Sequence, residues 1–171
     1  MYKVYPKIIL ACLLLVMTGT VYSQRVTQTI NDGWKFSLFE GDASTADFDI
    51  SGWTDVSIPH TWNAKDADDE ISGYFRGKGW YRKVVAVEEL IPEQRVYLSF
   101  EGANQETNVF VNGTFVGNHK GGYSAFTFDV TDYVHAGRNL IAVSVDNSHN
   151  PDIAPLSADF TFFGGIYRDV Y

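Results

Sequence analysis

The feature that most restricts this chain is a two-residue alternation of apolar and polar side chains, interrupted at intervals by turn residues. In RVYLSFEG, Val96, Leu98 and Phe100 fall on one face, and in SAFTFDV, Phe126, Phe128 and Val130 do the same. In NLIAVSVDN, Ile141, Val143 and Val145 point one way while Ala142 and Ser144 point the other. GWYRKVVAV, from Gly79, gives a further strand of similar length. Successive strand residues face opposite sides of a sheet, so these stretches predict β-strands with one buried face. In VFVNGTFVG, Asn112-Gly113 sits between two β-rich arms and predicts a two-residue hairpin turn with positive φ at both positions. Asn112-Gly113-Thr114 also matches a glycosylation acceptor, but the turn alone accounts for the glycine. Beyond the N-terminal segment, helical periodicity is confined to short turns, expected near residues 45–48 and 131–135. The expected fold is all-β: an antiparallel, jelly-roll-like β-sandwich.

The N-terminus reads differently. MYKVYPKIILACLLLVMTGTVYSQ carries Lys3 and Lys7, an apolar run over 8–17, and Ser23 before Gln24. That pattern predicts a signal peptide over 1–23, with an apolar run too short to cross a bilayer. Cys12, the only cysteine, lies inside the run rather than at its end, which disfavours a lipid anchor. The expected product is exported, periplasmic or extracellular, without a membrane partner. Residues 24–171 form one domain of about 150 residues, enough to bury a core without disulfides. The net charge is −8 at pH 7, and loss of Lys3 and Lys7 makes it two units more negative. Such a surface argues against nucleic acid, which needs basic groups to neutralise phosphates. It allows a neutral ligand such as a sugar. Aromatic residues make up 15% of the chain. Their flat faces suit stacking on sugar rings, yet for any one of them the sandwich core is the default place.

Several motif matches fail on chemistry. GYFRGKG (73–79) has three residues between its first two glycines where a phosphate loop needs four, and Gly79 replaces the hydroxyl that would hold Mg²⁺. GYSAF (122–126) ends in Phe where a nucleophile elbow needs a second glycine. DADDE (66–70) lacks the glycine and glutamate of an EF-hand, since Ile71 and Gly77 occupy those places. A looser cation site or a solvated acidic loop remains for that cluster. His60, His119, His135 and His149 show no close metal-ligand spacing. The metal question is therefore left open by the sequence.

The closing stretch, DFTFFGGIYRDVY, places Asp159 beside an aromatic cluster. A carboxylate buried without partners is costly, so Asp159 is either a satisfied structural group or a recognition group. Five blocks in order now become informative: FDISGWTDVSIPHTWN, GKGWYRK, FEGANQETNVFVNGTFVGNHKGGYSAFTFDVT, GRNLIAVSVDN and DFTFFGGIYRDV. Together they resemble the N-terminal sugar-binding domain of family 2 glycoside hydrolases, which include β-galactosidases, β-glucuronidases and β-mannosidases. The resemblance covers almost all of 30–171 and implies a galactose-binding-domain-like jelly roll. In the full enzymes an immunoglobulin-like sandwich and a (β/α)₈ barrel follow. The barrel carries two glutamates in a retaining mechanism, which needs carboxyl groups about 5–5.5 Å apart. A barrel takes about 250 residues, so no pair here is given a catalytic role. The chain is expected to be a truncated product or a fragment of an O-glycosyl hydrolase.

The resemblance also assigns candidate substrate-binding residues. The Asp placed like Asp159, six residues before Gly165, reaches the active site in the β-galactosidase and β-glucuronidase branches and contacts sugar hydroxyls. In some members it helps hold an alkali cation. The domain itself is expected to need no cofactor, with any alkali or divalent cation belonging to the full enzyme. Some β-galactosidases place a galactose-contacting Asn three residues before the equivalent of Gly79; here that position holds Arg76. Its planar fork suits sugar hydroxyls or a sugar carboxylate, or pairing with the 66–70 cluster. Trp53, His60 and Trp62 are expected as core and corner packing, and Arg168 and Asp169 as a structural pair or surface contact. Three readings follow: the sugar-binding part of a β-galactosidase-like enzyme acting with a downstream catalytic domain, a stand-alone carbohydrate-binding module, and a structural domain that docks on neighbours.

Overall fold

The computed structural model describes residues 25–66 and 73–171. The expected signal peptide and most of the acidic cluster lie outside the described residues. The strands, in chain order, are β1 (Trp34–Leu38), β2 (Thr54–Val56), β3 (Lys78–Val87), β4 (Tyr97–Phe100), β5 (Glu106–Val111), β6 (Thr114–Lys120), β7 (Phe126–Asp129) and β8 (Gly137–Asp146). Six form an antiparallel sheet in the order β2-β1-β3-β8-β5-β6, and β4 pairs with β7 in a second. Residues 169–171 extend that second sheet: Tyr171 and Ser99 exchange two backbone hydrogen bonds of 2.9 Å, and the Glu101 amide donates to Asp169. The fold is the expected antiparallel jelly-roll sandwich.

The alternation read from the sequence is what joins the two sheets. Val109 and Val111 of β5 and Ile141, Val143 and Val145 of β8 meet Leu98 and Phe100 of β4 in the main core, with Phe126 and Phe128 packed against it. Each fully buried aliphatic or aromatic side chain of this kind stabilises by about 1.5–3 kcal/mol. The Asn112-Gly113 turn joins β5 to β6 with φ of 52° and 81°, the positive pair that a tight hairpin requires. The Asn112 amide donates to Tyr133 O and Asn139 Oδ1, both at 2.9 Å. That amide nitrogen is therefore committed to the fold.

Both expected short turns form. Residues Thr131–Tyr133 form a 3-10 turn, and at 45–48 a single bond from the Phe48 amide to Thr45 O closes one turn. Ala142 and Ser144 point away from Ile141, Val143 and Val145, as the alternation requires, and that outer face of β8 is covered as well. Both are buried, because Trp80 and Ala43 form a second small core with Ala142, with Phe48, Trp53 and Phe110 packed against it. The 39–53 loop thus folds over this outer face.

Candidate sugar-binding site

Asp159 and Arg76 come from two segments that reach the same edge of the sandwich. Arg76 lies just before β3. Its Nε donates to the Tyr74 hydroxyl at 2.9 Å, and Nη2 donates to the same oxygen. The guanidinium carbon sits 4.9 Å from the Tyr74 ring centroid and 4.8 Å from that of Phe162. A planar cation between two π-faces is held both by charge–quadrupole attraction and by packing. Phe162 continues the aromatic chain to Phe160 (5.4 Å) and then edge-on to Tyr123 (6.1 Å, 90°). Tyr123, Phe160, Phe163 and Phe75 are about half exposed.

Asp159 is exposed and immediately precedes Phe160. Among the described residues it takes part in no side-chain hydrogen bond or ion pair. Asp159 is therefore not a buried group satisfied inside the sandwich. Arg76 is placed against Phe162, three residues along the same loop. Asp66, the described member of the acidic cluster, does not take Arg76. Its Oδ2 accepts instead from Asn63 Nδ2 at 2.6 Å and from the Phe75 amide at 2.8 Å. Arg168 and Asp169 do not pair with each other. Asp169 accepts from Asn31 at 3.0 Å, and the Arg168 guanidinium lies over the Tyr167 ring.

Electrostatics mark the same neighbourhood. Burial, with Tyr167 and Tyr74 nearby, raises the Tyr123 hydroxyl above its ordinary value, and Arg76 opposes the shift. Beneath the loop, the Tyr81 hydroxyl lies 2.7 Å from His60 Nδ1 and accepts from the Ile166 amide, while burial drives its pKa far up. Tyr81 is thus a neutral phenol hydrogen-bonded to an imidazole nitrogen. The Ile166 carbonyl accepts from the His60 amide at 2.8 Å. His60 therefore serves corner packing, as expected, and so do Trp62, stacked on Phe36 at 5.8 Å, and Trp53, edge-on to Phe48 at 5.9 Å.

Burial lowers the His60 pKa below its ordinary 6.5. A depressed folded-state pKa stabilises fully above the unfolded value, and the benefit is lost as pH falls through the folded one. His119 is shifted the same way, again mainly by burial. Urea midpoints should accordingly fall as pH drops below 6.5, before the carboxylates titrate, and Gln at both positions should flatten that part of the curve. An unaltered slope in the double variant would show that neither imidazole is kept neutral by the fold.

Three buried asparagines at this edge were not anticipated: Asn63, Asn104 and Asn147, each at most 2% exposed. Asn104 Nδ2 donates to Phe163 O at 2.9 Å. Buried asparagines have no period, and in sequence they are indistinguishable from the loop asparagines that follow strands. Among the described residues no group of three His, Cys, Asp or Glu side chains is placed to hold a metal ion. A cleft of about 860 Å³ opens elsewhere, between residues 25–30, the end of β3 and β4. It contains neither Asp159 nor Arg76, and its walls mix core aliphatics such as Leu98, Val111 and Ile141 with polar and charged residues such as Arg25, Glu93 and Arg95.

Residues 27–171 match the family described as glycosyl hydrolases family 2, sugar binding domain. The chain belongs to this family. It is 38% identical to a β-glucuronidase of Bacteroides fragilis over 92% of its own length and 22% of that protein. It is 40% identical to a β-galactosidase of Thermoanaerobacter pseudethanolicus, covering 85% of itself and 19% of the relative. A crystal structure of Bacteroides uniformis β-glucuronidase superposes with a TM-score of 0.79 at 47% identity, over 86% of this chain and 17% of that one. The family 2 domain described here thus spans about a fifth of the length of the relatives it matches.

Proposed function

We propose that this domain forms one wall of the substrate pocket of a β-glycosidase, with Asp159 and Arg76 binding the sugar and a downstream catalytic domain supplying the chemistry. The carrying observation is that the solvent-facing Asp159 and the π-held Arg76 share one aromatic-lined loop edge. A carboxylate accepts two or more hydroxyl hydrogen bonds, and charge-assisted bonds are the stronger kind. Exposed Tyr123 and Phe160 add flat faces for the ring. Export directed by the 1–23 leader belongs to the same reading.

The relatives' names divide between glucuronides and galactosides, and the two charges bear on that choice. Asp159 favours a hydroxymethyl group at C6 and repels a carboxylate, whereas Arg76 favours the carboxylate. The reading retains a β-galactoside as the first substrate to test, with a β-glucuronide beside it. In the enzyme that carries this domain, Asp159→Asn is expected to lower kcat/KM about 10- to 100-fold, the equivalent of roughly 1.5–3 kcal/mol for a hydrogen bond to a charged group. The thermal midpoint should stay put, since Asp159 is exposed. Unchanged kinetics on both glycosides would remove Asp159 from the site.

The exposed aromatics also favour a second reading, a module that binds sugar without the catalytic domain. Titration of this chain with galactose and glucuronate distinguishes the two. Binding that Tyr123→Ala weakens supports the module, and silence at high millimolar sugar discards it.

A further inference from the structure

Arg76 and the Asp159 loop are not joined by a β-ladder, since β3 begins only at Lys78 and residues 159–165 lie outside the named strands. Two side chains do the joining. Asn147, which follows β8, is fully buried. Its Oδ1 accepts from the Gly77 amide at 2.8 Å. Its Nδ2 donates to Phe162 O at 2.9 Å, with longer contacts to Phe75 O at 3.3 Å and Asn63 Oδ1 at 3.4 Å. Asn63 adds the second half: Oδ1 accepts from the Gly164 amide at 2.6 Å, and Nδ2 donates to Phe75 O at 2.7 Å.

These bonds fall on Phe75 and Gly77, the residues on either side of Arg76, and on Phe162 and Gly164, which close the Asp159 loop. We propose that Asn63 and Asn147 are positioning residues: a buried amide clamp that fixes Arg76 against Phe162 and so sets the spacing between the two sugar-facing groups. Its consequence for sugar rests on the proposed function, whereas its effect on Arg76 does not. The chemistry requires an amide. Each side chain must accept from a backbone N–H and donate to a backbone carbonyl, which neither a carboxylate nor an aliphatic group can do. Aspartate at 147 keeps the shape and the bond from Gly77, but turns an oxygen toward the carbonyls of Phe162 and Phe75.

The test is NMR of this chain, reading the Arg76 Nε–H resonance, which the flanking rings shift and the Tyr74 hydroxyl holds. In Asn147→Asp, that resonance should move toward the position of exposed arginines, and its solvent exchange should speed up on the order of tenfold. The amides of the β3–β8 ladder should stay protected. Asn139→Asp is the control. Asn139 is as buried as Asn147 and lies on β8 at the other end, but bonds only around residues 112 and 135–137, so Arg76 should not respond. If Asn147→Asp does not fold, Asn63→Asp carries the same expectation. An unmoved Arg76 signal overturns the clamp. So does loss of the whole ladder in both variants, which would make the pair a general fold determinant. In a second arm, the chain with an intact ladder but a released Arg76 should lose sugar affinity as Arg76→Ala does. A wild-type chain that binds no sugar refutes the module reading while the NMR result stands.

Discussion

Gly165→Ala is expected to cost about 3–5 kcal/mol, a loss as large as those seen on opening a core cavity. Gly165 has φ of +121°, a backbone region that side-chain-bearing residues enter only with strain of about 1–3 kcal/mol. The added methyl would also stand 2.5 Å from His60 O and 2.7 Å from the Tyr81 hydroxyl. Neither neighbour can withdraw freely. The residue after Gly165 bonds both to the His60 backbone and to Tyr81, and Tyr81 is fully buried. The glycine lets the Asp159 loop land flat on this corner. Against a total stability of about 5–15 kcal/mol, the change removes about a fifth or more. A urea unfolding series measures it, with Gly52→Ala as the companion. At Gly52 a methyl meets nothing within 4 Å, so that variant should lie within about 0.5 kcal/mol of the parent. Equal midpoints for the two alanine variants would remove Gly165 from the architecture of the site.

The division between what the sequence reveals and what it hides has a physical pattern. Strand faces are legible because alternation repeats: Val109, Val111, Ile141, Val143 and Val145 turn inward together. The hairpin is legible because Asn-Gly answers a backbone demand at the two residues themselves. The burial of Ala142 and Ser144 depends on the 39–53 loop, an irregular segment without a period, so alternation by itself does not reveal it. Arg76 shows a different limit. A guanidinium that stacks on aromatic rings carries no spacing signature, and sequence leaves it between sugar and the acidic cluster. The fold places it on Tyr74 and Phe162, residues 2 and 86 positions away, through the pairing of β3 with β8 and the return of the 159–165 loop. Asn63 and Asn147 were hidden for the same reason: they satisfy backbone groups from distant segments, a demand that exists only after folding.

Trp34→Ala is the other change expected to act strongly, and it tests whether core and corner are one unit. Trp34 opens β1, is fully buried, and donates its indole N–H to Ile30 O at 2.7 Å. Its ring meets Tyr81 edge-on at 6.5 Å and 83°. Truncation removes a large buried surface and leaves a cavity, worth about 3–5 kcal/mol. It also leaves the Ile30 carbonyl without its donor, a further cost of about 1 kcal/mol or more. Trp34→Phe keeps most of the ring contact and loses chiefly the hydrogen bond, so it should cost markedly less. Urea midpoints should therefore fall in the order Trp, Phe, Ala, at similar slopes. A second readout makes the experiment about the site as well as stability. Loosening Tyr81 weakens its grip on His60, so in Trp34→Ala the His60 imidazole should titrate closer to its ordinary 6.5, followed by its ring protons in NMR. A variant that loses stability but leaves His60 depressed would mean that the core beneath β1 and the corner under the Asp159 loop respond independently. Movement of both together would mean that packing at Trp34 reaches the corner under the Asp159 loop through Tyr81 and the Phe36 ring that packs on both Tyr81 and His60.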